Sequence, residues 1–195
     1  SRVFGLIRDM ATTNLLGASV FHDIFVVTLK IPNLFRRFFA EGAFNQAFIP
    51  VYSDYQAGNS DQETKDFINA LAGNFLIILF LFTAVVLLIT PVFILIFAPG
   101  FYFDDYKREI SVDVLRIMFP YLALISLVAF AGGIQNTHNR FSLPAFTPLI
   151  FNACLIFAAL IIAPKYDLPI YVLAWGVLIA GFAQLVIQLF PLKQI

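Results

Sequence analysis

Charge is what this sequence has least of. Only 12% of its 195 residues are Asp, Glu, Lys or Arg, 61% are hydrophobic, and the mean hydropathy is +0.88. A soluble domain carries about 25% charged and about 45–50% apolar residues. No charged residue occurs between Asp66 and Asp104, between Arg116 and Arg140, between Arg140 and Lys165, or between Asp167 and Lys193. Each gap exceeds the ~20 residues that a helix needs to cross a bilayer. These absences exclude a water-soluble globule and predict an all-α integral membrane protein, a polytopic helical bundle. Cysteine is nearly absent too. The single Cys154 lies within an apolar run, which excludes a disulfide inside the chain and suits a packed thiol. Two histidines, His22 and His138, complete no metal-ligand spacing with it, so no metal and no cofactor is expected. No nucleic-acid partner is expected either.

What is present reads as six crossings. The first helix is predicted over 2–16, ending at Gly17, which suits a C-terminal cap. A second element covers 23–52 and should kink around Lys30–Pro32, because proline lacks an N–H and crowds the preceding turn. Gly42 and Pro50 weaken it further. Ser60 to Glu63 fits a capping box for a third helix over 61–98, with Pro91 inside it and Pro99-Gly100 ending it. Phe101, Tyr102, Phe103 and Tyr106 then suit an interfacial aromatic belt. Helices over 111–136, 144–163 and 170–190 follow, joined by the turns "NTHNRFSLP" and "PKYDLP". The chain opens inside a helical pattern without an initiator Met, shows no signal-peptide pattern, and stops at "FPLKQI" just after an apolar run. It is expected to be a piece of a longer protein. Loop charges leave the orientation open: Arg2, Lys65, Arg140 and Lys193 fall on one side, Lys107, Arg108 and Lys165 on the other.

The charge that exists is concentrated near the start. Arg2, Arg8, Lys30, Arg36 and Arg37 stand against Asp9, Asp23 and Glu41, whereas the remainder is slightly acidic. The stretch "KIPNLFRRFFAEGAF" holds four of these groups amid apolar sequence. One reading has Arg36 and Arg37 snorkelling to the headgroups above buried phenylalanines, with Arg8-Asp9 as a local pair and Glu41 answering Arg37 at i+4. The other uses depth. Lys30 to Glu41 extends over about 16 Å of regular helix, too far for one interfacial level, and each cation at the membrane centre costs ~2.5–3.5 kcal/mol. Such residues would need a water-filled cavity or a counter-anion. On a continuous helix Lys30, Asn33, Arg37 and Glu41 share a face, and Arg36 lies about 100° away. One arginine should therefore serve a cavity and the other a partner helix or the interface. Guanidinium binds two phosphate oxygens at once, so an arginine-lined cavity suits a lipid diphosphate.

Taken together, "SRVFGLIRD", "KIPNLFRRFFAEGAFNQAFIPVY" and "NTHNRFSLPAFTPLIFN" resemble the MurJ (MviN) family of lipid II flippases along essentially the whole chain. The resemblance implies one N-terminal lobe, 1–195, of a two-lobed exporter-superfamily transporter with a central cavity. It implies a multi-pass location in the bacterial cytoplasmic (inner) membrane with the N-terminus inside. It also implies lipid II, an undecaprenyl-diphosphate-linked disaccharide-pentapeptide, as the cargo moved outward by alternating access for peptidoglycan synthesis. Arg8, Arg36 and Arg2 are the implied substrate-binding residues, the first two in the cavity. Asp9, Asp23 and Glu41 are implied gate or lobe contacts, and Lys30, Asn33 and Arg37 take a supporting role. Pro32 and Gly42 would act as the hinge of the second element. The partners implied are lipid II, membrane lipid and a missing C-terminal lobe that supplies a further arginine. Coupling to the membrane potential or to an ion is an open expectation.

Three other readings stand beside this one. The cargo could be another polyprenyl-linked oligosaccharide or a drug-like cation, although a basic cavity opposes cations. An enzyme acting on lipid diphosphates would need a nucleophile, an acid–base pair or a metal cluster near the arginines, and neither histidine adjoins them in sequence. A non-transporting scaffold would carry snorkelled arginines that tolerate neutral replacement. His138 within "NTHNRF" reads as a solvated turn residue rather than a proton relay. Trp175 and the phenylalanines read as packing and lipid-facing groups.

Overall fold

The computed structural model describes residues 2–38, 43–138 and 140–190, and the regular structure among them is entirely helical. Helix α1 (Arg2–Leu16) ends as its sequence predicts. Gly17 adopts φ 62°, open to a residue without Cβ, and its N–H donates to the Thr13 carbonyl at 2.8 Å.

The expected kinked element over 23–52 is instead two α-helices, α2 (Val20–Arg36) and α3 (Ala43–Gly58). Pro32 does not end α2. It is buried inside the helix, beside Ile31. The departure from α-geometry comes later, as a wider π turn at Arg37 and Phe38. A proline is tolerated within a membrane helix where neighbouring protein covers the backbone it frees, and α2 is covered there by α7. Glu41 and Gly42 lie outside the described residues.

Helix α4 (Asp61–Leu88) begins with the predicted capping box: the Ser60 N–H donates to Glu63 Oε2 at 2.9 Å and the Glu63 N–H to Ser60 Oγ at 3.4 Å. The expected helix over 61–98 breaks at Ile89, where α5 (Thr90–Phe97) takes over. Pro91 cannot bond the Leu87 carbonyl, and the Thr90 hydroxyl donates to it at 3.0 Å instead. A single turn, α6 (Pro99–Tyr102), leads to α7 (Asp105–Met118), whose N-cap Asp104 accepts the Lys107 N–H at 3.1 Å. That backbone bond, followed by the Lys107 side chain, holds the Asp104 carboxyl below the usual carboxylate range. The expected helix over 111–136 therefore starts earlier, and it is interrupted before α8 (Tyr121–Thr137) because Pro120 breaks the ladder. Helix α9 (Ser142–Phe157) widens into a π turn (Ala158–Ile162) and closes with a 3-10 turn (Ala163–Lys165). Helix α10 (Pro169–Leu189) follows.

Among the described residues, four segments are long and apolar enough to cross a membrane: Gln62–Leu88, Asp105–Thr137, Ser142–Lys165 and Pro169–Leu189. The first two of the six expected crossings do not meet that measure. Helices α1 and α2 have 15 and 17 residues and carry the charge, short of the ~20 apolar residues a span requires.

The α7–α8 pair is the centre of the bundle. Within its most apolar stretch 72% of residues are buried, against 22% for α4, which turns most of its surface outward. One core joins α1, α2 and α7–α10 through Ile24, Met118, Leu155, Leu173 and Val177. A second joins α2, α4, α5, α7 and α8 around Phe119, where Phe35, Phe82 and Phe93 meet it at ring centroid distances of 6.0 to 6.2 Å. A third links α3 and α4 to α8 through Phe48, Tyr52, Leu79 and Phe130. Trp175 and the side chains Leu81, Leu88, Phe182 and Val186 point outward, as lipid-facing groups should. Cys154 is half-buried and free.

Small residues let α10 approach its neighbours. A Cβ on Gly181 would come within 2.8 Å of the Tyr121 ring and 3.0 Å of Leu124, and one on Gly176 within 3.1 Å of the Ala158 Cβ. Helices in lipid associate largely through such close backbone approach and the van der Waals contact it permits. Gly181→Leu is therefore expected to separate α10 from α8 and to destabilise the protein by about 1–3 kcal/mol, read as a lower unfolding temperature in detergent. Gly73→Ala, where a Cβ meets nothing within 4 Å, is the neutral control. Ser60→Ala should cost about 1 kcal/mol through the lost cap, read as faster hydrogen exchange in the first turn of α4.

Candidate functional site: an arginine-lined cavity

Helices α1, α2, α8, α9 and α10, with Phe97 of α5, line an open cavity of about 920 Å³. Its basic wall comes from α1 and α2, which contribute Arg8, Lys30, Arg36 and Arg37, and Asn33 lies among them. No carboxylate is among its described lining residues.

Arg8 is the best-defined of these groups. It sits mid-way along α1 and is half-buried. Its Nε and Nη2 donate to Asp9 Oδ1 at 2.9 and 2.6 Å, while Nη1 reaches across to Asn152 Oδ1 on α9 at 3.1 Å. The guanidinium carbon lies 5.8 Å from the centre of the Phe151 ring, a cation–π distance. Arg8-Asp9 is thus a local pair and also the link between α1 and the far wall of the cavity. The planar fork of arginine permits both at once.

Arg36 and Arg37 both line the cavity, whereas a regular helix would send them about 100° apart. The two need not point the same way, because a broad arc of α2 faces the cavity: the neighbours Lys30 and Ile31, and Asn33 and Leu34, line it as well. Arg36 is half-buried and Arg37 exposed. Lys30 and Asn33 share their side of α2, as its periodicity predicts.

The other expected site residues fall elsewhere. Arg2 is exposed and lies outside the cavity lining: six residues before Arg8, it is about 9 Å away along the axis and about 120° round the helix. Asp23 is exposed in the first turn of α2, where a carboxylate suits the helix dipole. Asp9 reaches the cavity only through Arg8. Glu41 and Gly42 lie outside the described residues.

The neutral wall was not anticipated from the sequence. Asn152 and Thr147 on α9, Gln184 and Gln188 on α10, and Asn136 on α8 complete the lining. They are tied together: Gln184 Nε2 donates to the Thr147 carbonyl at 2.8 Å, and Gln135 Nε2 donates to the Gln188 carbonyl at 2.7 Å. Uncharged polar residues inside otherwise apolar spans, as in "LIFNACLIF" and "FAQLVIQLF", are the signal that would have found them. Close approach matters here too, since a Cβ on Gly132 would meet Gln188 Nε2 at 3.2 Å. His138 lies outside this cavity, in the turn after α8 as expected, and is half-buried rather than fully solvated, with Nδ1 3.0 Å from the Ile134 carbonyl. That contact makes Nδ1 the donor and leaves Nε2 to accept from Gln56 at 3.5 Å.

Residues 12–195 match the family model described as lipid II flippase MurJ. A probable lipid II flippase MurJ of Buchnera aphidicola subsp. Acyrthosiphon pisum is 41% identical over 97% of this chain and 37% of its own length. The lipid II flippase MurJ of Burkholderia cenocepacia is 38% identical over 100% of this chain and 38% of its own length. A solved structure, lipid II flippase MurJ in an inward closed conformation, superposes with a TM-score of 0.82 at 27% identity, covering 100% of this chain and 40% of that one. The chain thus spans under two-fifths of the length of these curated relatives. With its apolar spans and its charged cavity wall, the chain is a multi-pass membrane protein that belongs to the lipid II flippase MurJ family.

Proposed function

We propose that this chain is the N-terminal lobe of a transporter that moves lipid II across the bacterial cytoplasmic membrane, its cavity holding the lipid diphosphate. The observation that carries the reading is the cavity itself: four cations from two short charged helices open into about 920 Å³ beside apolar spans, and no carboxylate is among the described lining. A diphosphate would bring complementary negative charge to such a wall. Arg36 and Arg8 are the bidentate donors. Lys30 and Arg37 add field, and Asn33, Asn152 and Asn136 offer neutral hydrogen bonds to the attached headgroup. The headgroup thereby crosses within protein rather than lipid.

The remaining assignments follow from this reading. The N-terminus faces the cytoplasm, and a second lobe closes the cavity and contributes a further arginine. Asp9, Asp23 and Glu41 make gate or lobe contacts. Arg2 acts at the cavity entrance rather than within the lining. Pro32 and Gly42 let α2 and α3 bend as access alternates, since Pro32 removes one helical bond, that to the Thr28 carbonyl. A second polyprenyl-linked oligosaccharide would satisfy the same diphosphate chemistry. The lining offers no carboxylate, histidine or cysteine among the described residues, which favours transport over catalysis.

Two measurements test the proposal. In bacteria depleted of their own flippase and expressing the full-length protein, Arg36→Ala and Arg36→Lys are each expected to abolish outer-leaflet exposure of lipid II at matched protein levels. The loss corresponds to about 10–100-fold weaker headgroup binding, from charge-assisted bonds worth about 1.5–3 kcal/mol. Full activity in Arg36→Ala would make the arginine a snorkelling residue and overturn the assignment. Secondly, outward movement of negative charge is assisted by an inside-negative potential, by ~2.3 kcal/mol per charge per 100 mV. Collapsing the potential at a fixed lipid II level is expected to slow flipping, and an unchanged rate would remove that coupling.

A further inference from the structure

The bundle contains a second opening, about 1000 Å³, between α3, α4, α8 and α10. It lies on the opposite side of α8 from the arginine cavity. Val128, Gly132 and Asn136 face the cavity, whereas Leu127, Phe130 and Ile134 face this groove. Helix α8 thus stands between this groove and the cavity that Arg8 and Arg36 line.

The groove's depth and charge point to an occupant. Lys65 stands one turn into α4, His138 and Arg140 lie just past the end of α8, and Leu189 is the last residue of α10. These ends are gathered at one membrane face, as the Gln56–His138 and Gln135–Gln188 contacts require. Both cations lining the opening are therefore at headgroup level, and no acidic side chain is among its described lining. From that basic rim a track, apolar apart from Asn69, descends along α4 through Ile68, Ala72, Gly73 and Leu76, with Leu127 and Leu185 opposite. Positions 65, 69, 72 and 76 recur at helical spacing on a single stripe. Lys65 to Leu76 covers about 16 Å of helix, about half of the ~30 Å hydrocarbon core. The groove is one leaflet deep. Gly73 keeps it open, since a Cβ there would meet nothing within 4 Å.

We infer that this groove is a binding site for one anionic phospholipid of the surrounding bilayer. Its phosphate lies between Lys65 and Arg140, and one acyl chain fills the track between α4 and α10. The site is independent of the transported substrate and does not rest on the transport proposal. Occupancy would bridge α4, the least buried span, to the rest of the bundle.

The test uses the full-length protein in detergent, offered equimolar phosphatidylglycerol and phosphatidylcholine, with retained lipid counted by native mass spectrometry. The wild type is expected to keep one phosphatidylglycerol in preference to phosphatidylcholine. Lys65→Gln with Arg140→Gln should reduce that preference about 25-fold, about fivefold for each basic residue lost. Gly73→Leu, which fills the track without touching either cation, should release both lipids while leaving the unfolding temperature in lipid-free detergent unchanged. Should the double variant fail to fold, Gly73→Leu alone decides. Equal retention by wild type and Gly73→Leu would overturn the site. So would a wild type that retains neither lipid, as expected if the second lobe covers the groove, or one that shows no preference for the anionic lipid.

Discussion

The cost of placing charge in hydrocarbon governs this structure. Each cation away from water must find an anion, a hydrogen-bonding wall or a cavity. The chain meets that demand by confining the charge of its first part to two short helices, which pack against α7 and the uncharged α8–α10. Arg8 shows how: one guanidinium is divided between the adjacent Asp9, the Asn152 amide on a distant helix and the face of Phe151. The carboxylate is mostly exposed and the arginine mostly covered, with side-chain exposures of 63% and 23%. The pair is thus a bridge from water into the bundle rather than a buried ion pair, so it avoids the full desolvation penalty of one.

The apolar spans have the converse problem. Lipid exerts no hydrophobic force between helices, so association depends on close approach and on polar groups satisfied internally. Gly176 and Gly181 provide the first on α10. The bonds joining Gln135 to Gln188 and Gln184 to Thr147 provide the second. Because Gln184, Gln188 and Thr147 also line the cavity, the contacts that hold α8, α9 and α10 together shape the neutral wall facing the arginines. Stability and binding geometry are linked in the same few side chains.

Helix α8 divides the interior. It presents Gly132, Gly133 and Asn136, together with Tyr121, Ile125 and Val128, to the cavity and the wholly apolar set Leu127, Phe130, Ala131 and Ile134 to the groove beside α4, although neither face is obvious from a sequence apolar almost all round. Proline gives it that role in part. The break at Pro120 separates α8 from α7, so the two segments of one long span can meet different neighbours. The same logic recurs at Pro91, where the Thr90 hydroxyl replaces the bond that the proline removes.

What the sequence by itself determined is local or compositional. Uncharged gaps longer than a bilayer crossing dictate membrane helices, Gly17 ends α1, and the Ser60–Glu63 pair starts α4. Each depends on residues a few positions apart. The clustering of Lys30, Arg36 and Arg37 was legible for the same reason. Tertiary structure decided the rest. Helical phase predicted that Arg36 and Arg37 would diverge, but the cavity reaches far enough round α2 to be lined by both. Arg2 belongs to the same charged segment as Arg8 yet faces away from the lining. Asn152, which completes the Arg8 site, stands 144 positions along the chain from it. Periodicity fixes which residues share a face of one helix, and only the packing of helices against one another fixes which faces meet.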